Sequence, residues 1–163
     1  MNIEQKHKAL LEALPLSEEA DNIRLCFEVL SLASAIDRDC ATRLSKYDLS
    51  EGRFIVLFLL QKSKNGLQPF EIAEQAGVTR ATVTGLLDGL EKMSLITRTH
   101  AGHDRRMVTI HLTPEGWMLA NRLFDEHTSW ISNLLSSFDE EEKALLSQLL
   151  HRIWLKTDSG KTV

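Results

Sequence analysis

No stretch of this chain stays apolar for long. The longest unbroken run, Phe54–Leu60, is seven residues, against the roughly 20 that a membrane-spanning helix requires. No segment is therefore expected to cross a bilayer. The first residues, Met1–Lys8, carry charges and lack an apolar signal segment, so no export signal is read and the cytoplasm is the expected compartment. Cysteine is scarce. Cys26 and Cys40 fall in one long predicted helix, about 21 Å apart at the helical rise, too far for a disulfide within the chain. They read as small buried hydrophobes, or one of them as a thiol sensor. The motifs of common enzymes are missing as well: there is no G-x-x-x-x-G-K-S/T, no H-E-x-x-H and no C-x-x-C. His100, His103 and His111 lie close in sequence, but the first two flank a hairpin tip and the further ligands of a zinc site cannot be assembled. Neither an enzyme nor a bound cofactor or metal is expected.

What is present suits a folded domain. Apolar residues make up 43% of the 163 and charged residues 26%, enough to bury a core and keep a solvated surface. The net charge of −4 argues mildly against a nucleic-acid partner, yet binding needs only a local basic patch. Between Lys92 and Met107 four cations (Lys92, Arg98, Arg105, Arg106) face a single acid, Asp104. The asymmetry marks one region.

Helical periodicity dominates and no repeat is found. Ser17 caps a long helix over 18–46, and Ser50 caps a second through about Lys62. Pro69 opens a short helix through Gln75. Gly77 breaks it, and Thr79 caps another running to about Met93. Strand-like residues at 95–99 and 107–112 surround the polar centre 101–104, which predicts a hairpin, the only clear β signal. Thr113-Pro114-Glu115 starts a long helix over about 114–136. A capping box, Asp139 with Glu142, starts the last, over about 140–156, and the tail 157–163 is expected to fray. The fold class is mainly α with a small β-hairpin.

Two short helices joined through a glycine, with a hairpin behind them, read as a winged helix-turn-helix over 50–112. Ala73 allows close helix approach, Gly77 permits the turn, and Val83 fixes the second helix to the core. At 100° per residue Val83, Leu86, Leu87 and Leu90 point inward, while Ala81, Thr82, Gly85 and Gly89 point away. Each interior glycine costs about 1 kcal/mol relative to alanine, and close approach of a groove wall is one reason to accept that. Arg80 is the candidate contact to guanine or phosphate, with Thr79, Thr82 and Thr84 as hydroxyl partners.

Residues 69–116 resemble the DNA-binding core of the MarR (multiple antibiotic resistance regulator) family. The residues that carry the likeness are Pro69–Ala73, Thr79–Glu91, and above all Asp104-Arg105-Arg106 followed by Leu112-Thr113-Pro114-Glu115-Gly116, which match D-x-R and L-T-x-x-G. The resemblance implies a regulator of transcription that binds double-stranded DNA. Arg106 would enter the minor groove, Asp104 would steady it, and Arg98, Arg105 and His103 would add wing contacts. Many relatives carry a long polar residue where this chain has Gly85 or Gly89, so fewer side chains remain for direct readout.

The terminal helices, 18–46 and 114–156, expose more apolar residues than one winged domain covers, notably Ile23, Leu25, Phe27 and Leu30, and Leu145, Leu146, Leu149, Leu150, Ile153 and Trp154. By resemblance they are dimerisation helices, pairing two subunits on a near-palindromic site about 34 Å per repeat. The family also implies release by a small effector, often an aromatic or phenolic anion, with Arg24, Cys26 and Arg53 as pocket residues. Leu25-Cys26-Phe27 is similar to the reactive-cysteine segment of the organic-hydroperoxide-sensing branch. The supporting tyrosines of that branch are matched here by Cys40 and Glu51, and the sole tyrosine is Tyr47. A peroxide sensor through Cys26 and a winged-helix adaptor that binds protein are the alternatives.

Overall fold

The computed structural model describes residues 5–13, 17–100 and 108–161. Two compact units are formed, Met1–Ala120 and Asn121–Val163. The first holds α1 (Gln5–Glu12), α2 (Glu18–Ser45), α3 (Glu51–Lys62), α4 (Pro69–Ala76), α5 (Arg80–Lys92), the strands β1 (Ile96–His100) and β2 (Val108–Leu112), and the start of α6 (Pro114–Leu134). The rest of α6 and α7 (Glu140–Trp154) belong to the second, with a short 3₁₀ turn at Ser159–Lys161. No helix among the described residues is long and apolar enough to cross a membrane.

Local chemistry places the helix starts. Ser17 accepts from the Ala20 N–H, and Glu18, Glu19 and Asp21 complement the positive end of α2. Ser50 accepts from the Arg53 N–H to begin α3. At α4 the Glu71 carboxylate accepts from the Gln68 N–H at 2.7 Å, with Pro69 in the first turn. Gly77 ends α4 with φ of +65°, a left-handed conformation that lets the Val78 N–H reach the Ala73 carbonyl. Asp139 and Glu142 form the expected reciprocal box at α7.

The strands pair antiparallel from Ile96 opposite Leu112 to His100 opposite Val108. A third segment, absent from the sequence reading, joins them: Leu67 and Ile110 exchange both backbone hydrogen bonds, at 3.1 and 2.8 Å. Gly66 makes this possible with φ of +74°, and a Cβ there would fall 2.5 Å from the Ile110 carbonyl. The core of the first unit is built from Val56, Leu57 and Leu60 of α3, Ile72 of α4, Val83, Leu87 and Leu90 of α5, and Ile110 of β2, all 2% exposed or less.

One element went unread and one expectation is corrected. α1 carries no strong start signal and is short enough to be marginal alone; it is held where the His7 ring stacks on Phe27 of α2 at 4.4 Å. Residues 157–161 of the tail, which was expected to fray, turn back after α7, with the Gly160 N–H donating to Thr157 Oγ1 and Gly160 buried. The ends of α6 and α7 lie two residues short of the predicted limits, the usual uncertainty of helix termini.

Candidate nucleic-acid interface

α5 is the second helix of the helix-turn-helix. Its inward side is formed by Val83, Leu87 and Leu90, with Leu86 half-buried, and its outward side by the exposed Ala81, Thr82 and Gly85. Space outside Gly85 is open: a Cβ there would meet nothing within 4 Å. Arg80, at the first helical position, is exposed, and no ion pair or hydrogen bond ties its guanidinium among the described residues.

The N-terminus of α5 suits an anion. α2, α3, α4, α6 and α7 carry an acid in the first turn, whereas α5, like the short α1, carries none. Thr79 Oγ1 accepts from the Thr82 N–H at 3.1 Å, and the Thr79 carbonyl accepts from Val83. The N–H groups of Arg80 and Ala81 are then left for an external acceptor. The three threonine hydroxyls are not equivalent. Thr79 and Thr82 lie 2.8 Å apart and share one proton, so one O–H of the pair remains to donate outward. Thr84 donates to the Arg80 carbonyl at 3.1 Å and presents only acceptor lone pairs, which phosphate oxygens do not match.

Gly89 does not share the open space of Gly85, which corrects its placement on a free outer face. The guanidinium of Arg53 fills the position where its side chain would begin. Arg53 itself donates from Nη1 to the Asp48 carbonyl at 3.2 Å. Arg24 and Cys26 are exposed on α2. Arg24 is roughly 30 Å along the helix axis from Ser45, next to the Asp48 turn that Arg53 holds. Within one chain the three expected pocket residues therefore do not converge.

Arg98 is likewise placed differently from expectation. Instead of facing outward from the wing, its guanidinium lies on α5, with Nη2 at 2.5 Å from Asp88 Oδ1 and Nε at 3.2 Å from Glu91 Oε2. One guanidinium from the hairpin thus lies against two acids of α5 and offsets one of their two charges. His103, Asp104, Arg105 and Arg106 lie outside the described residues.

The root of the hairpin explains the L-T-x-x-G pattern. Thr113 Oγ1 donates to the Ser94 carbonyl at 2.8 Å and accepts from the Gly116 N–H at 2.9 Å, so one hydroxyl caps α6 and ties it to the turn after α5. The Thr113 N–H donates to the Leu95 carbonyl at 3.0 Å. That carbonyl occupies the place a Cβ of residue 116 would need, so only glycine fits.

Of the cysteines, Cys26 is exposed, which corrects the buried-hydrophobe reading for that residue. Burial pushes the Cys40 thiol above its ordinary value, and the Glu51 and Asp37 carboxylates push it further the same way. His111 Nε2 lies 3.1 Å from Thr99 Oγ1 across the hairpin. Among the described residues no group of three or more His, Cys, Asp or Glu could hold a metal ion.

This geometry has counterparts. A model of the MarR family matches residues 47–107. The HTH-type transcriptional repressor YetL of Bacillus subtilis (strain 168) is 32% identical over 133 residues, covering 81% of this chain and 80% of YetL. The HTH-type transcriptional regulator PecS of Dickeya dadantii (strain 3937) is 38% identical over 120 residues, 72% of each chain. In fold, the chain is similar to S. aureus MepR in its DNA complex, with a TM-score of 0.69 at 23% identity over 81% of this chain and 97% of that one.

Proposed function

The chain belongs to the MarR family of DNA-binding transcriptional regulators, which are not enzymes, and from that premise we propose a cytoplasmic repressor that grips a near-palindromic duplex site as a homodimer. The observation that carries the reading is the outward face of α5, with a free Arg80, two unpaired N-terminal amides, no first-turn acid and open space at Gly85. Such a face accepts a major-groove edge flanked by phosphate. The wing, with Asp104, Arg105 and Arg106, reaches the neighbouring minor groove. Arg98 serves as a buttress to α5, as its ion pairs indicate.

Pairing of two chains is supported by α7, which buries none of its residues and leaves Leu145, Leu149, Leu150, Ile153 and Trp154 each at least 40% exposed. Repression is carried over from the similar repressor YetL. Release from DNA is assigned to an aromatic or phenolic anion that binds more tightly to a spacing of the two heads unsuited to DNA, since only differential affinity shifts an equilibrium. Arg24 on α2 is the cation available to it, because Arg53 is already engaged.

The test is selection from a pool of randomised duplexes by the purified chain. An enriched sequence with two inverted half-sites about one helical turn apart supports the reading. A pool that shows no enrichment at low salt ends it.

A further inference from the structure

α3 and α5 are interlocked by two glycines, each facing a large side chain of the other helix. A Cβ on Gly89 of α5 would fall 2.7 Å from Cζ and Nε of Arg53 and closer still to Nη2. One residue earlier on α3, a Cβ on Gly52 would lie 3.1 and 3.2 Å from the Cδ atoms of Leu86. Leu86 and Gly89 are three apart on one side of α5, so a rotation or slide of α5 changes both contacts together. Arg53 has a further attachment. Its Nη1 donates to the carbonyl of Asp48, whose φ is +56° in the turn between α2 and α3, and lies 4.0 Å from Met93 Sδ at the end of α5.

We infer that this interlock sets the position of the reading helix, and that Arg53 is a positioning residue for DNA recognition acting through Gly89. The inference rests on the DNA-binding reading above. Base-edge hydrogen bonds hold only over heavy-atom distances of about 2.7–3.2 Å, so a shift of α5 by roughly an ångström abolishes them. Phosphate contacts through flexible cations survive such a shift. Loss of the lock therefore appears as lost discrimination between sequences more than as lost binding.

Gly89→Ala gives a sign that separates the lock from a merely loose helix. Alanine is the better helix former, so if Gly89 only loosened α5, the substitution would leave discrimination unchanged. The lock requires the opposite, because the methyl group expels the guanidinium. A duplex enriched by the wild-type chain and a scrambled duplex of equal length are titrated with wild type, Gly89→Ala, Arg53→Ala and the double variant. The expected result is a fall of about tenfold or more in the affinity ratio for Gly89→Ala, with the double variant no worse than Arg53→Ala because the clash has gone. Both singles keeping the wild-type ratio, or losses that simply add, overturn the lock. If Gly89→Ala does not fold, Arg53→Ala decides, since the ratio of two affinities is insensitive to the folded fraction: a reduced ratio supports the lock and a wild-type ratio overturns it. Failure of the wild type to enrich any duplex overturns the DNA reading itself, and this inference with it.

Discussion

Arg98 on β1 donates from Nη2 to Asp88 Oδ1 on α5 at 2.5 Å, so the first strand of the hairpin and the helix before it are joined by charge as well as by chain. With its side chain 30% exposed and Asp88 at 52%, the pair is worth under about 1 kcal/mol of stability. Its larger effect is on the field that DNA meets. Arg98→Ala leaves Asp88 and Glu91 uncompensated beside a polyanion. Duplex affinity should fall about tenfold at low ionic strength, and the loss should shrink as salt screens the acids. Adding Asp88→Asn should recover part of it. Anisotropy titrations at two salt concentrations check this, and an affinity unchanged at low salt refutes it.

The root of the hairpin should be the least tolerant part of the wing. Thr113→Val removes the cap of α6 and the bond to the Ser94 carbonyl together, at a cost of about 1–2 kcal/mol. Gly116→Ala drives a methyl group onto the Leu95 carbonyl, which is backbone and cannot swing aside, and should cost about 2 kcal/mol or more. Urea unfolding of both variants measures the losses. A Gly116→Ala variant as stable as wild type would show that the strand root yields.

The helix-turn-helix was legible because its signals are local: a proline start, a left-handed glycine at 77, a threonine cap at 79, and apolar residues at helical spacing on α5. Gly85 could be placed by angle alone. Gly89 was misread, since at 100° per residue it lies only about 60° from the inward Leu86, and no angle says what arrives there. The occupant, Arg53, comes from a different helix 36 positions earlier. Arg98 was misplaced for the same reason, since a cation in a basic stretch reads as a phosphate ligand until Asp88 and Glu91 are seen beneath it. The Leu67–Ile110 bridge is a single residue pair with no period to detect, and α1 is too short to declare itself without Phe27 to stack on.

Arg80 and Thr84 should respond very differently to removal. Arg80→Ala takes away an unpaired guanidinium at the helix start. It should cost about 1–3 kcal/mol in duplex binding and reduce the salt slope by about 1 if the contact is to phosphate. Thr84→Val removes a hydroxyl whose proton is already given to the Arg80 carbonyl, and should change affinity by under about 0.5 kcal/mol. Parallel titrations over a salt series compare them, and equal losses would show that the hydroxyl turns outward on binding.

The two thiols should alkylate in order. Cys26 is exposed, whereas burial and the carboxylates of Glu51 and Asp37 hold the Cys40 thiol in its protonated form. Iodoacetamide at about pH 8 should modify Cys26 first and Cys40 only slowly, since the thiolate is the nucleophile. The same shift has a consequence for stability. A thiol raised in the folded state keeps its proton while the unfolded chain loses it, so stability falls as pH rises above the ordinary thiol value. Cys40→Ser should flatten that alkaline decline. Mass mapping that finds Cys40 modified ahead of Cys26 contradicts the ordering.

If α7 joins two chains, its apolar side should control both assembly and DNA binding. Leu149 and Ile153 are four apart on one face of α7, 43% and 48% exposed. Replacing both by lysine places two cations where a second copy would pack, and desolvating them without partners costs far more than the apolar contact gains. A stable pairing buries about 1,200–2,000 Å² in total, and disruption at its centre leaves too little to hold it. Sedimentation should show the wild type at twice the chain mass and the variant at the chain mass. The helix-turn-helix belongs to the other compact unit, so its fold should persist in the variant's circular dichroism. Binding to a duplex with two half-sites should drop by a hundredfold or thereabouts, while binding to a single half-site stays nearly unchanged, because what is lost is the effective concentration that one head gives the other. A variant that still sediments as a dimer would assign the exposed side of α7 to a different partner.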